Sequence, residues 1–256
     1  MMTAEQITAL LQTDTLGRTL KVYDSLPSTN DTAKACTATL PHGAVIIADT
    51  QVCGRGRRGR TFFSPQGNGI YMSVALHTPF TAEDVGLLTS LTAVAVAEAI
   101  ELLCDVAVQI KWVNDLLIGG KKVCGILTEG QYDSERGHYT NTVIGIGINV
   151  SGNTFPPPLD SIATSLQTAC GTYLHRAPLI AAILQRLEWH LTHMESGTFL
   201  QQNRRRSAVL GKTVTVITAA DEYPAMAVDI DNKGQLVVKT DTETITLSSG
   251  EVSLKL

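Results

Sequence analysis

Over the first two thirds of the chain, apolar residues come in short β-branched runs separated by helix-spaced stretches; beyond Leu210 they alternate singly with polar ones. Residues 3–12 and 27–39 carry helical spacing, and Ser28-Thr29-Asn30 supplies side chains that cap a helix start. Residues 44–48 (AVIIA) and 70–76 (IYMSVAL) are continuous apolar runs of the kind that form buried strands. The stretch opened by Thr81-Ala82-Glu83-Asp84 and running to Cys104 is rich in alanine and leucine, which predicts a core helix. Residues 106–112 predict a strand. Asp115-Leu116-Leu117-Ile118, Gly119-Gly120 and residues 121–127 then predict a hairpin, because paired glycines supply the positive φ values of a two-residue turn. Residues 142–150 add a strand on which Gly145 and Gly147 share a face, a sign that a ligand or a packed neighbour approaches the backbone closely. Pro156-Pro157-Pro158 marks a loop, and Pro178 opens a helical stretch to about Arg206.

From Leu210 the pattern changes to short alternating strands at 212–217, 225–230, 235–239 and 243–247, with Asp231-Asn232-Lys233-Gly234 as one of the turns. That predicts a small all-β barrel of about 45 residues, too small to be very stable unless packed on the rest of the chain.

Composition narrows the class. With 256 residues, 44% hydrophobic and 17% charged, the chain is long enough for one sizeable core and a second small domain. A net charge of −4 argues against a broad nucleic-acid face. Nothing reaches the roughly 18 to 20 apolar residues that a membrane helix requires, and no basic start leads into a long apolar run, so a cytoplasmic protein is expected. The five cysteines (Cys36, Cys53, Cys104, Cys124, Cys170) form no C-x-x-C pair, and their odd number predicts reduced thiols. His190 and His193 read as buried or surface residues without a third ligand, and Arg204 to Arg206 as a solvated helix end.

Positive charge is nonetheless concentrated in one place: Gly54-Arg55-Gly56-Arg57-Arg58-Gly59-Arg60 puts four guanidinium groups among three glycines. Arginine matches carboxylate and phosphate in a planar fork, and glycine lets main-chain N–H groups come close. Such runs also occur as solvated loops, targeting signals or nucleic-acid contacts. Here the run lies between two core strands, a setting that favours a cradle for a small anion, mobile until the anion arrives.

Several separated motifs carry a more specific signal: Ser28-Thr29-Asn30; Gln51 followed by the arginine loop; Lys111-Trp112-Val113-Asn114-Asp115; Lys122-Val123-Cys124-Gly125-Ile126-Leu127; Gly145-Ile146-Gly147-Ile148-Asn149; and Ser249-Gly250-Glu251-Val252. In this order and spacing the chain resembles the biotin protein ligase family over nearly its whole length. The resemblance implies an α+β fold, with a mixed β-sheet catalytic domain and packed helices at 1–208 and an SH3-like β-barrel at 209–256. It implies formation of biotinyl-5′-AMP from biotin and ATP with Mg²⁺, and transfer of biotin to one lysine of a biotin carboxyl carrier protein domain of a carboxylase.

By the same resemblance Ser28, Thr29, Asn30 and Gln51 contact biotin, and Arg55, Gly56 and Arg57 close over biotin and adenylate. Lys122 is the active-site lysine, catalytic together with Arg57, and Gly125 permits close approach beside it. Lys111, Asn114, Asn149, Arg57 and Arg58 bind nucleotide, and Asp115 is the candidate metal ligand, although an acid at that place also caps a hairpin start. The family usually has proline where this chain has Val113. Many relatives carry an N-terminal winged helix that binds an operator; about 20 residues precede the first predicted strand here, so no DNA-binding domain is expected. Relatives often dimerise through sheet edges. A lipoate ligase, a non-catalytic biotin sensor and an RNA-binding module are the competing readings.

Overall fold

The computed structural model describes residues 2–218, 222–248 and 251–254, the last four through their backbone. Strands β1 (Leu20–Leu26), β2 (Val45–Gln51), β3 (Gly69–Leu76), β4 (Gln109–Lys111), β5 (Asp115–Ile118), β6 (Lys121–Asp133) and β7 (His138–Asn149) form one sheet in the order β1-β2-β3-β7-β6-β5-β4. β1 and β2 run parallel and every other pairing is antiparallel, so the sheet is mixed. Gly119 and Gly120, at φ 57° and 77°, make the tight turn between β5 and β6.

The two faces of this sheet are covered differently. Helices α3 (Ala82–Leu103) and α5 (Arg176–Thr192) pack over one face, where Leu88, Leu91, Ile144, Ile146 and Leu184 are buried in the main core. Thr81 and Asp84 begin α3 with a reciprocal cap: the Asp84 carboxylate accepts from Thr81 N at 2.8 Å, and Thr81 Oγ1 accepts from Asp84 N at 3.1 Å. The short helix α2 (Thr29–Ala35) lies over the opposite face, with Ala33, Ile46, Ala75 and Val143 in a smaller cluster beneath it. α1 (Ala4–Thr8) packs on α5.

Several expectations need correction. The strand predicted at 106–112 shortens to β4, and the helix predicted from 178 to 206 divides into α5 and α6 (Thr198–Arg205). Gly197, at φ 64°, makes the break, while Pro178 sits inside the first turn of α5, where its missing N–H goes unused. Cys104 and Cys170 are joined by a disulfide between the end of α3 and the end of α4 (Leu166–Cys170), with Cα atoms 6.4 Å apart. Spacing in sequence could not reveal that pair, which meets only through the fold of the chain between them; Cys36, Cys53 and Cys124 remain thiols. Against expectation, α3 is long and apolar enough by average hydropathy to cross a membrane, because its leucines, valines and isoleucine outweigh its few polar residues. Most of its apolar surface is taken up by the sheet, α5 and α6, while Leu102 and Leu103 at its end stay exposed.

The remaining strands, β8 (Thr213–Ile217), β9 (Glu222–Ile230), β10 (Leu236–Lys239), β11 (Thr244–Leu247) and β12 (Glu251–Leu254), form an antiparallel sheet in the order β11-β10-β9-β8-β12. Its core of Val214, Val216, Ala227, Leu236 and Val238 takes in Trp112 from the main sheet, whose Nε1 donates to Gly234 O at 3.0 Å. Arg204 and Arg206 are not a solvated helix end: Arg204 Nε reaches Asp229 Oδ1 at 3.1 Å on β9, and Arg206 Nη2 reaches Glu101 Oε2 at 2.8 Å on α3. Ser249 and Gly250 of the terminal motif lie outside the described residues.

Candidate active site

The predicted residues converge on the α2 face of the sheet. Ser28 caps α2, its hydroxyl accepting from Asp31 N at 3.3 Å. The helix therefore starts with Thr29 and Asn30 buried against the strands. Thr29 N donates to Gln51 Oε1 at 2.9 Å, and Gln51 Nε2 donates to Ser64 Oγ at 2.9 Å. Ser73 Oγ, on β3, lies 2.8 Å from Thr29 Oγ1 and 2.6 Å from Asn30 Oδ1. This is a dense cluster of donors and acceptors inside a buried layer, the kind of polar group set that fixes the orientation of a small ligand.

The glycines of β7 shape it. A Cβ at Gly145 would overlap the Asn30 amide, and one at Gly147 would stand 2.6 Å from the Phe62 ring. The close approach foreseen for this pair is thus by packed neighbours. Gly125 lies opposite Gly147 in the ladder, and a Cβ there would come within 3.1 Å of Lys122 Nζ and 3.2 Å of Phe62.

Lys122 keeps 32% of its side chain exposed, with Nζ 2.7 Å from Asp115 Oδ1 and 5.9 Å from the centre of the Phe62 ring. Its backbone pairs with 162–164, donating to Ile162 O at 2.8 Å and accepting from Thr164 N at 2.9 Å. Asn149 reaches the same segment from the other side, its amide donating to Thr164 O at 3.2 Å. Asn114 Nδ2 donates to Ile126 O at 3.1 Å, and Arg57 Nη1 approaches Asn114 Oδ1 at 3.4 Å. Burial pushes the Cys124 thiol far up, which makes it a filler and no nucleophile.

The arginine loop folds on itself. Phe62 N donates to Gly54 O at 2.9 Å, Gly56 N donates to Arg60 O at 2.7 Å, and a Cβ at Gly54 would overlap the Phe62 carbonyl. Glycine at 54 is therefore needed by the loop's own closure, a use that composition could not separate from ligand approach. Arg55 pairs with Asp31 and, at 3.1 Å, with Glu129; it lies among carboxylates beside the pocket. Arg58 is exposed in the left-handed region at φ 54°. Lys111 stands on edge strand β4 opposite Asp115. Around Arg57 and Val113 a cleft of about 450 Å³ opens between the start of α3, β6 and the turn at Lys233 and Gly234.

Phe62, Ser64, Ser73, Asp31 and Glu129 were not singled out from the sequence. An aromatic residue directly after the arginine loop was the one readable sign among them; the others are ordinary strand and helix residues until the chain folds.

The Biotin/lipoate A/B protein ligase family matches residues 22–149, and the Biotin protein ligase C terminal domain matches residues 209–255. The chain is 36% identical over 251 residues to the bifunctional ligase/repressor BirA of Bacillus subtilis, covering 95% of this chain and 76% of the relative. It is 29% identical over 244 residues to the biotin–[acetyl-CoA-carboxylase] ligase of Mycobacterium tuberculosis, 92% and 88% of the two chains. Among solved structures, the biotin protein ligase of Aquifex aeolicus in complex with biotin and ATP superposes with a TM-score of 0.80 at 26% identity, covering 93% of this chain and 99% of that one. The fold and the site thus define a ligase of the biotin and lipoate type. The chain belongs to the biotin protein ligase branch of that family.

Proposed function

We propose that this site joins biotin to AMP and then hands the biotinyl group to a lysine of a biotin carboxyl carrier protein domain. In the first half-reaction an oxygen of the biotin carboxylate attacks the α-phosphorus of ATP and pyrophosphate leaves. In the second, the neutral amine of the acceptor lysine attacks the acyl carbon, AMP leaves, and the amine gives up a proton. The first step brings anionic oxygens together and both build negative charge on oxygen, so fixed cations supply what a protein nucleophile would not.

Lys122 is the observation that carries this reading. A half-exposed ammonium, held by Asp115 and an aromatic ring beside Gly125, stands where carboxylate and α-phosphate oxygens would meet. Thr29, Asn30, Ser28 and Gln51 hold the ureido ring; Arg57, Asn114, Asn149, Lys111 and Arg58 serve the nucleotide; and Gly56 lets the loop close over both. Among the described residues no three His, Cys, Asp or Glu side chains converge on a metal position. Asp115 would be the residue to hold Mg²⁺, and the ion would supply neutralisation of phosphate charge. The catalytic unit is residues 1–208 and the β unit residues 209–256.

Purified protein given ATP, Mg²⁺ and biotin should release pyrophosphate only when biotin is present, and should modify one lysine of a carrier domain. Release driven by lipoate and not by biotin would replace this reading with a lipoate ligase; biotin binding without pyrophosphate would leave a sensor.

A further inference from the structure

Glu129 belongs to no motif, yet it touches both halves of the site. It lies on β6 with 21% of its side chain exposed and three nitrogens around its two oxygens. Oε2 accepts from Asn30 Nδ2 at 2.8 Å, while Oε1 accepts from Lys34 Nζ at 2.9 Å and lies 3.1 Å from Arg55 Nη2. Asn30 is the pocket residue whose amide also donates to Leu127 O at 3.2 Å and whose Oδ1 faces Ser73 Oγ. Arg55 is the first arginine of the loop, and its other partner is Asp31.

With both Nδ2 protons engaged, Asn30 is held with its carbonyl oxygen accepting from Ser73 Oγ at 2.6 Å, and the second lone pair of that oxygen is the one a ligand N–H would use. A carboxylate drawing on the NH₂ end makes that oxygen a stronger acceptor, and a ligand bonded to the oxygen strengthens the hydrogen bond to the carboxylate in return. The same carboxylate holds Arg55, so tightening at one end restricts the other. Asp31 and Lys34 complete a cluster of two acids and two bases, which leaves no net charge to push the loop away.

We propose that Glu129 is a positioning residue that couples occupancy of the Asn30 pocket to closure of the arginine loop. The inference rests on the pocket being the biotin site. Coupling between sites is reciprocal, so the loop must in turn raise affinity for biotin, and such effects commonly amount to about 5–150-fold.

A double-mutant cycle tests it. Arg55→Ala should weaken biotin binding at least about fivefold in the otherwise unchanged protein, and by less than about twofold in a Glu129→Gln background. In the unchanged protein biotin should also slow amide exchange across residues 54–61, and in Glu129→Gln that slowing should be lost while biotin still binds. A purely structural role for Glu129 would lower the unfolding temperature and leave the two affinity effects additive. Additivity, or no biotin-dependent slowing in the unchanged protein, overturns the inference and leaves the biotin site standing. No saturable biotin binding by the unchanged protein overturns the site itself and the inference with it.

Discussion

Gly145 and Ile146 are neighbours on β7 and meet opposite worlds. Ile146, 2% exposed, lies on the side of the sheet covered by α3 and belongs to the main apolar core. Gly145 faces α2, where the Asn30 amide fills the space its missing side chain leaves. A strand sends successive side chains to opposite sides, so one run of sequence serves a packing face and a chemical face at once. The packing face tolerates any well-fitted hydrophobe. At Gly145 the chemical face has no room for a side chain, since the space is taken by the Asn30 amide.

Substitutions on the two faces should separate rate from stability. The largest effect is expected at Lys122→Ala, which removes the cation from the reacting oxygens: single-turnover adenylation should fall about 10² to 10³-fold, with thermal unfolding little changed. A drop in stability with normal turnover would move Lys122 from chemistry to packing. Gly145→Ala comes next, because the new methyl must displace Asn30 at a cost of about 1–3 kcal/mol. Calorimetry should find most of that in biotin affinity; an unchanged affinity would mean that Asn30 does not hold the ring.

Ile146→Val should act only through the core, lowering unfolding free energy by about 0.5–1.5 kcal/mol in a denaturant titration while kcat/KM for biotin stays constant. The smallest effect concerns pH. Burial pushes the Asp31 carboxyl up, but the hydrogen bonds and charges of Arg55 and Lys34 outweigh it and hold the group below its ordinary 3.8. Its grip on the loop is therefore present above about pH 4 and lost as pH falls through that lowered value. Tryptic cleavage within residues 54–60, taken relative to an unstructured control peptide at each pH, should be flat from pH 5 to 8, and a midpoint in that ratio would assign the grip to another group.

The same contrast explains how much could be read in advance. The core helix from 82, the glycine hairpin at 119–120 and the alternating strands of the tail follow from local patterning, and all formed where periodicity put them. Ser28, Thr29, Asn30 and Gln51 were singled out through family resemblance, and the structure joins Thr29, Asn30 and Gln51 in one hydrogen-bonded cluster at the start of the helix that Ser28 caps. What stayed hidden depends on long-range pairing. Glu129 meets Asn30 across 99 positions of sequence, and Cys104 meets Cys170 across 66. Gly197 was hidden for another reason: a glycine in a helical run is tolerated as often as it breaks the run, and only the packing of α6 on α3 decides.

The indole of Trp112 has a practical corollary for anyone cutting or recombining this polypeptide. Its side chain comes from the Lys111-to-Asp115 segment, yet it plugs the interior of the tail. Ending the gene after codon 208 would leave that ring facing water and loosen the residues next to Asp115. A chimera carrying a relative's tail should keep its activity only if the foreign module offers a slot for the same ring and a carbonyl in the place of Gly234.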